Sequence, residues 1–286
     1  MELFYLNHKN QKLDFMNGNY EVEESSFFSH EWEYDSQSLS RLGERITRLK
    51  KRTQKRKLIV HITNQGLVSC EKAFNDLFDV VEADSLDMIP GRLFLDGSYL
   101  SCFVVMSEPK YFVPGIGSIS CELSLITPYP FWITEQHIQI GAISEVDAMS
   151  ETTGTKTYPY TYPYRYPLLQ TEINEYIDHY TDSDFKMIVY GPTTSVLINI
   201  AGHRYEVNYP LEAGEYMVID SRPNTPKEEK LYVVRTNGIR ENIFDYRSAE
   251  YSVFKKIPPG RVKIDYSRTY GIDLTIFQER SEPLWK

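Results

Sequence analysis

Cysteine is scarce: three residues in 286, Cys70, Cys102 and Cys121. An odd number with no C-x-x-C spacing excludes a disulfide framework, so the three read as small core side chains in a reducing compartment. Apolar runs of about 18 residues, the length that crosses a bilayer, are missing. The start, MELFYLNHKNQK, has no basic segment followed by an apolar stretch, so a protein with no export signal and no membrane partner is expected. Basic charge is in deficit, 31 Lys and Arg against 40 Asp and Glu, a net of −9. That balance disfavours a coat held on nucleic acid by phosphate neutralisation, and no specific nucleic-acid binding is expected.

The motifs that carry common chemistries are missing too. A dinucleotide loop needs three spaced glycines between a strand and a helix, whereas Gly115-Ile116-Gly117-Ser118-Ile119-Ser120 stops after two and runs into a strand pattern. There is no G-x-S-x-G nucleophile elbow and no cysteine in a reactive motif. His30-Glu31-Trp32-Glu33 begins like a zinc-protease helix, but Tyr34 stands where the second histidine belongs, and His8, His61, His137, His179 and His203 are scattered. Asp178, Asp182 and Asp184 lack the ordered ligand series and turn glycine of a calcium loop. No catalytic residue, no metal ligand and no cofactor is therefore expected, and the chain does not read as an enzyme. A facing pair of carboxylates for glycoside hydrolysis stays open as an alternative, since any two of the 40 acids would serve.

What is present is a β pattern. Tyrosines number 22 against 14 phenylalanines, and 41% of residues are hydrophobic, enough for real cores in a chain of one large or two ordinary domains. Asn17-Gly18, Gln65-Gly66, Asp96-Gly97, Asn237-Gly238 and Pro258-Pro259-Gly260 sit beside alternating apolar residues, the signature of tight antiparallel hairpins. Strands are predicted at 92–95, 98–106, 118–126, 185–190, 196–200, 203–207, 215–221, 231–235 and 271–279. One helix, 69–82, follows from the spacing of Cys70, Ala73, Phe74, Leu77, Phe78 and Val81, with Ser69 placed to cap it. Ile173, Tyr176, Ile177 and Tyr180 fit a helix, whereas Leu169, Thr171, Ile173 and Ile177 fit one face of a strand, and periodicity alone leaves both open.

Two stretches stand apart. The run from Arg41 to Lys57 holds nine bases and one acid, so the rest of the chain carries −17. It lacks interleaved aromatics, and a solvated or subunit-facing hairpin is predicted, with Arg41, Arg45, Arg48, Lys50, Lys51, Arg52, Lys55 and Arg56 as a candidate subunit or partner interface. Second, prolines recur every four residues in the segment Tyr158 to Pro167. Its tyrosines Tyr158, Tyr160, Tyr162, Tyr164 and Tyr166 suit an extended segment docked on a neighbouring domain. The polar stretch Ser144 to Lys156 before it is the expected boundary.

Several segments, kept in one order, resemble a known family. The Ser69 helix followed by PGRLFLDGSYLSCFVV and ITPYPFWITE resembles the amino-terminal half of distal tail proteins of long-tailed phages infecting Gram-positive hosts. The Tyr-Pro repeat, DSDFKMIVYGP, INIAGHRYEVNYPLEAGEYMVIDSRPNT, ENIFDYRSAEYSVFKKIPPG and GIDLTIFQERSEPLW resemble its carboxyl-terminal half. The resemblance implies a mainly β protein, with a ring-forming tail-hub domain over 1–143 and a galectin-like, carbohydrate-binding-module-like β-sandwich platform over 144–286. It implies a homo-hexamer between the tail tube protein and the tail-associated lysin or fibre, carrying receptor-binding proteins, in a virion assembled in the bacterial cytoplasm. It also implies that 171–180 is extended, and it makes the irregular, charged region 21–57 a candidate arm for gripping a neighbour. The alternatives are a lectin-like module that binds host-surface sugars and, further off, a tail-tip glycosidase.

Overall fold

A computed structural model describes residues 2–16, 18–23, 26–39, 42–66, 68–113, 117–142 and 172–284. The chain is mainly β, with one α-helix among the described residues, and divides into two compact units, residues 1–134 with 279–286 and residues 135–278.

In the first unit the elements are β1 (Leu3–Leu6), β2 (Lys12–Asp14), β3 (Tyr20–Glu23), β4 (Glu33–Ser38), β5 (Glu44–Lys50), β6 (Gln54–Thr63), α1 (Cys70–Asp87), β7 (Gly91–Leu95), β8 (Ser98–Val113), β9 (Ser118–Thr127) and β10 (Trp132–Ile140), which leaves the unit after Thr134. Asp96 and Gly97, with φ of 45° and 84°, make the tight turn between β7 and β8 that the Asp-Gly pair predicts. Strand β8 serves two sheets. Its start pairs with β7 and β10, and from Phe103 onward it pairs with β9, which continues to β6 and β3. That second half has one partner strand among the described residues and carries register shifts between Val104 and Met106 and between Pro109 and Tyr111. Bulges and a proline are the features expected of an edge.

Helix α1 buries Cys70, Ala73, Leu77, Val81 and Asp84 against these sheets. Ser69 Oγ accepts from the Lys72 amide and Asn64 Oδ1 from the Cys70 amide, capping the amino-terminal end. The helix runs past the predicted end near 82 because its last inward position is a carboxylate, which an apolar spacing does not reveal. Asp84 accepts from Tyr5 Oη at 2.5 Å and from the His8 amide at 2.8 Å, and it pairs with His8 Nδ1 at 2.5 Å. The region expected to be irregular from Glu21 holds β3, a short 3-10 turn at Ser26–Phe28, β4 and β5, before β6.

The second unit holds β11 (Glu172–Ile177), β12 (Asp184–Tyr190), β13 (Val196–Ile200), β14 (His203–Val207), β15 (Tyr216–Asp220), β16 (Leu231–Val234), β17 (Arg240–Asn242), β18 (Gly260–Tyr266) and β19 (Ile272–Arg280). One sheet has the order β17-β16-β15-β12-β19-β10 and the other β11-β18-β13-β14. Their inner faces share one core that includes Phe185, Met187, Ile198, Val207, Ile219 and Ile264, a β-sandwich. Residues 172–177 are a strand whose partner is β18, as the family resemblance implies; the helical spacing there is incidental.

Candidate assembly surface

Strands β4 and β5 pair with each other and with no other strand among the described residues. Every residue of β4 and all of β5 except half-buried Lys50 are exposed. The ribbon nevertheless carries large apolar groups in water: Leu42 is 89% exposed, Tyr34 63%, and Ile46 and Leu49 58% each. An isolated two-stranded ribbon is marginally stable at best, and a run of exposed apolar side chains marks a surface that something covers. Within the ribbon Lys50 Nζ lies 3.0 Å from Asp35 Oδ1, Ser36 Oγ donates to Glu44, and Thr47 Oγ1 donates to the Asp35 carbonyl.

The basic run does not form one face. Arg41 and the five tyrosines Tyr158, Tyr160, Tyr162, Tyr164 and Tyr166 lie outside the described residues. Arg45, Arg48 and Lys55 are exposed and make no ion pair among the described residues. Arg52 is exposed and pairs with Glu33 at 2.9 Å. Two of the eight candidates turn away from solvent within the chain. Arg56 is 1% exposed, because the two-residue period of β6 sends it to the side of Leu58, Val60 and Ile62. Lys51 Nζ is held 2.8 Å from Ser281 Oγ and stacks over Phe131 and Trp32 at 4.4 and 5.0 Å. Burial, with help from the Arg56 charge, pushes the Lys51 ammonium down to about 8. At the base of the ribbon lies a cavity of about 430 Å³ lined in part by His30, Glu31, Arg52, Lys55 and Arg56.

A second surface was not singled out by sequence. One stripe of α1, from Glu71 through Phe74, Asn75, Phe78 and Glu82 to Ser85, faces the second half of β8 across two open clefts of about 410 and 370 Å³. Val104, Val105, Met106, Pro109 and Ile119 supply the other wall, and Phe74 packs edge-on against Phe78 at 4.9 Å. The signal was available in the acids: α1 contains Glu71, Asp76, Asp79, Glu82, Asp84 and Asp87 against the single base Lys72. Asp84 and Asp87 are taken up by His8 and Lys9, whereas Glu71, Asp76, Asp79 and Glu82 make no ion pair among the described residues.

Other ionised groups are internal fasteners. Glu122, nearly buried on β9, lies 2.5 Å from Lys110 Nζ and 2.6 Å from Lys57 Nζ, and these bonds hold its carboxyl at about 2. In the second unit the buried Asp184 accepts from Ser221 Oγ at 3.0 Å and lies 2.7 Å from Lys256 Nζ, while Asp178 and Asp182 are exposed. Arg235 bridges Glu215 and Glu241 and donates to Tyr209 Oη. All three thiols are buried, and burial pushes Cys102 up to about 12. Among the described residues no three His, Cys, Asp or Glu side chains are grouped as a metal ion would require, and no helix is long and apolar enough to cross a membrane.

Chains of phage baseplates and a phage Dit protein share this fold, and the chain has the fold of a phage distal tail protein over 98–99% of its length. It aligns over 98% of its residues with 98% of the SPP1 Dit protein, described as a paradigm of the hub adsorption apparatus in Gram-positive-infecting phages, at a TM-score of 0.55 and 9% identity. With a chain of the phage P2 baseplate in its activated conformation with calcium the TM-score is 0.58 at 11% identity, covering 99% of each chain. The strontium form of the phage p2 baseplate gives 0.59 at 12% identity, again over 99% of each. No protein-family model and no curated protein matches the sequence. At such identities the likeness establishes the fold and assigns no residue a role.

Proposed function

We propose that the protein is the structural distal tail, or baseplate hub, component of a long-tailed phage or prophage. It closes as a homo-hexameric ring at the tail tip and joins the tail tube protein to the tail-associated lysin or fibre. The sandwich is the platform for receptor-binding proteins, and the protein acts without catalysis. The observation that carries this reading is the end-to-end structural correspondence with a hub protein, over 98% of each chain. The projecting β4–β5 ribbon supports it, because an exposed apolar ribbon suits a subunit that meets copies of itself. A closed ring needs a head-to-tail contact between two different patches of each copy, and the ribbon supplies one of them. A monomeric sugar-binding module has no use for such an arm.

Negative-stain microscopy of the purified protein tests the proposal. Six-fold rings with a central opening are expected. A field of isolated single particles at micromolar concentration contradicts it.

A further inference from the structure

We propose that the outward face of the sandwich at β12, β15 and β16 is covered by a segment of the same chain, Tyr158 to Pro167, which lies outside the described residues. The proposal does not depend on the ring reading, because the face and the two points between which the segment runs, Ala142 and Glu172, all belong to the second unit.

Sandwich strands ordinarily alternate apolar residues inside with polar residues outside. Sheet β11-β18-β13-β14 keeps to that, with Asn174, Lys263, Arg261, Asn199, Arg204 and Glu206 among its outward positions. The other sheet does not. Its outward positions are Ile188 and Tyr190 on β12, Tyr216 and Val218 on β15, and Tyr232 and Val234 on β16, while the residues between them face the core. Strand register gathers these into one patch: Ile188, Val218 and Tyr232 lie side by side, and so do Tyr190, Tyr216 and Val234. Polar groups surround the patch, with Asp273 beside Ile188, Asn242 beside Tyr232 and Arg240 beside Val234. Tyr190 is 39% exposed, its ring 6.2 Å from that of Tyr216 and its hydroxyl turned to the rim, where it donates to Asp273 at 2.6 Å. Strands that are apolar on both sides belong in sheets covered on both sides, and an apolar centre inside a polar rim is the anatomy of a contact.

The path of the chain names the occupant. A Cβ placed on Gly271 would stand 3.6 Å from the Tyr190 ring and 3.9 Å from the Ala142 amide nitrogen, so the chain departs beside the patch. It returns at the same end of the sandwich: Glu172 pairs with Asp265, next to Tyr266, whose hydroxyl donates to the Tyr270 carbonyl adjoining Gly271. Two points at one end of one sandwich need a short connection, yet 29 residues, 143–171, lie between them. From 157 to 171 that stretch holds five tyrosines, three prolines and a single charge, Arg165. Proline-rich segments dock on aromatic-lined surfaces at little cost in chain entropy, and a nearly uncharged one leaves no ion to be desolvated against an apolar patch. Crossing from β12 to β16 takes about 10 Å at ~4.8 Å per strand, and ten residues at ~3.1 Å each reach about 30 Å, enough to cover the patch.

Trypsin digestion of the full chain, with fragments weighed by mass spectrometry, tests the proposal against an internal reference, since Lys156 precedes the segment and Arg165 lies within it. The bond after Lys156 should be cut at least about tenfold faster than the bond after Arg165. In Tyr216→Ser/Tyr232→Ser the Arg165 rate should rise to that of Lys156 while the protein still melts cooperatively. A second variant guards against a misfolded face. Tyr160→Ser/Tyr162→Ser/Tyr164→Ser leaves the sandwich strands untouched and should raise hydroxyl-radical labelling of Tyr190 and Tyr216 at least about twofold. Equal cutting after Lys156 and Arg165 in the parent, or labelling that the segment variant leaves unchanged, overturns the proposal. Protection of Arg165 that is present in assembled protein and absent from single chains at high dilution also overturns it, because the face is then a contact with another copy.

Discussion

Glu122 shows how a carboxylate in this protein is spent on holding strands together. Lys57 of β6 and Lys110 of β8 close on it from both neighbouring strands, and the two bonds lower its pKa to about 2 from an ordinary 4.5. A depressed carboxyl stabilises the fold fully above about 4.5, and that contribution disappears as pH falls toward 2. Glu122→Gln should therefore lower the melting temperature at neutral pH, with the gap to the parent closing across that acidic window. A constant gap would show that the lysines do not hold the charge. Lys51 behaves oppositely. Its folded pKa of about 8 lies below the ordinary 10.5, so the folded state loses its proton first and stability rises as pH climbs between those values. Lys51→Met should flatten that rise in melting curves. Neither fastener was legible in the sequence, where Lys51, Arg56 and Lys57 belong to one basic run. The strand period that turns Arg56 inward depends on where β6 begins, and composition does not mark that point.

The elements themselves were largely legible where local chemistry and tertiary burial agree. Asp96-Gly97 specifies its hairpin, and the alternating apolar residues of β12, β13 and β14 face one core. Ser69 and the spacing of Cys70, Ala73, Leu77 and Val81 specify the start and inner face of α1. Its end was not legible, because Asp84 is buried by partners, Tyr5 and His8, distant in sequence. The short strands β1, β2 and β17 are likewise defined by the neighbours they pair with rather than by their own few residues. Because α1 closes the core of its unit through Leu77, which is fully buried, Leu77→Ala should cost about 2–5 kcal/mol in denaturant unfolding. A loss below about 1 kcal/mol would mean that the helix is not packed as described. The ribbon was expected as a hairpin, but the cleft beside α1 was not. Its walls come from α1, β8 and β9, which meet only in the folded unit, and its rim acids are dispersed through an amphipathic pattern that draws the eye to the buried stripe.

At the scale of the whole molecule, the account rests on a chain whose two units both correspond to a phage hub protein and whose first unit exposes an arm that a lone subunit leaves in water. Assembly should weaken as salt rises, because the exposed arginines of the arm are screened, while the apolar part of the contact persists. Sedimentation at low and high ionic strength measures that dependence, and an association indifferent to salt would remove the electrostatic role given to Arg45 and Arg48. The central claim, that this chain closes into a ring of six, meets its most direct test in native mass spectrometry of the purified protein. The account predicts a dominant species of six chains of 33.4 kDa, about 200 kDa, with no open-ended series of larger species. A spectrum holding only the 33.4 kDa monomer, or a ladder that grows without closing, would contradict it.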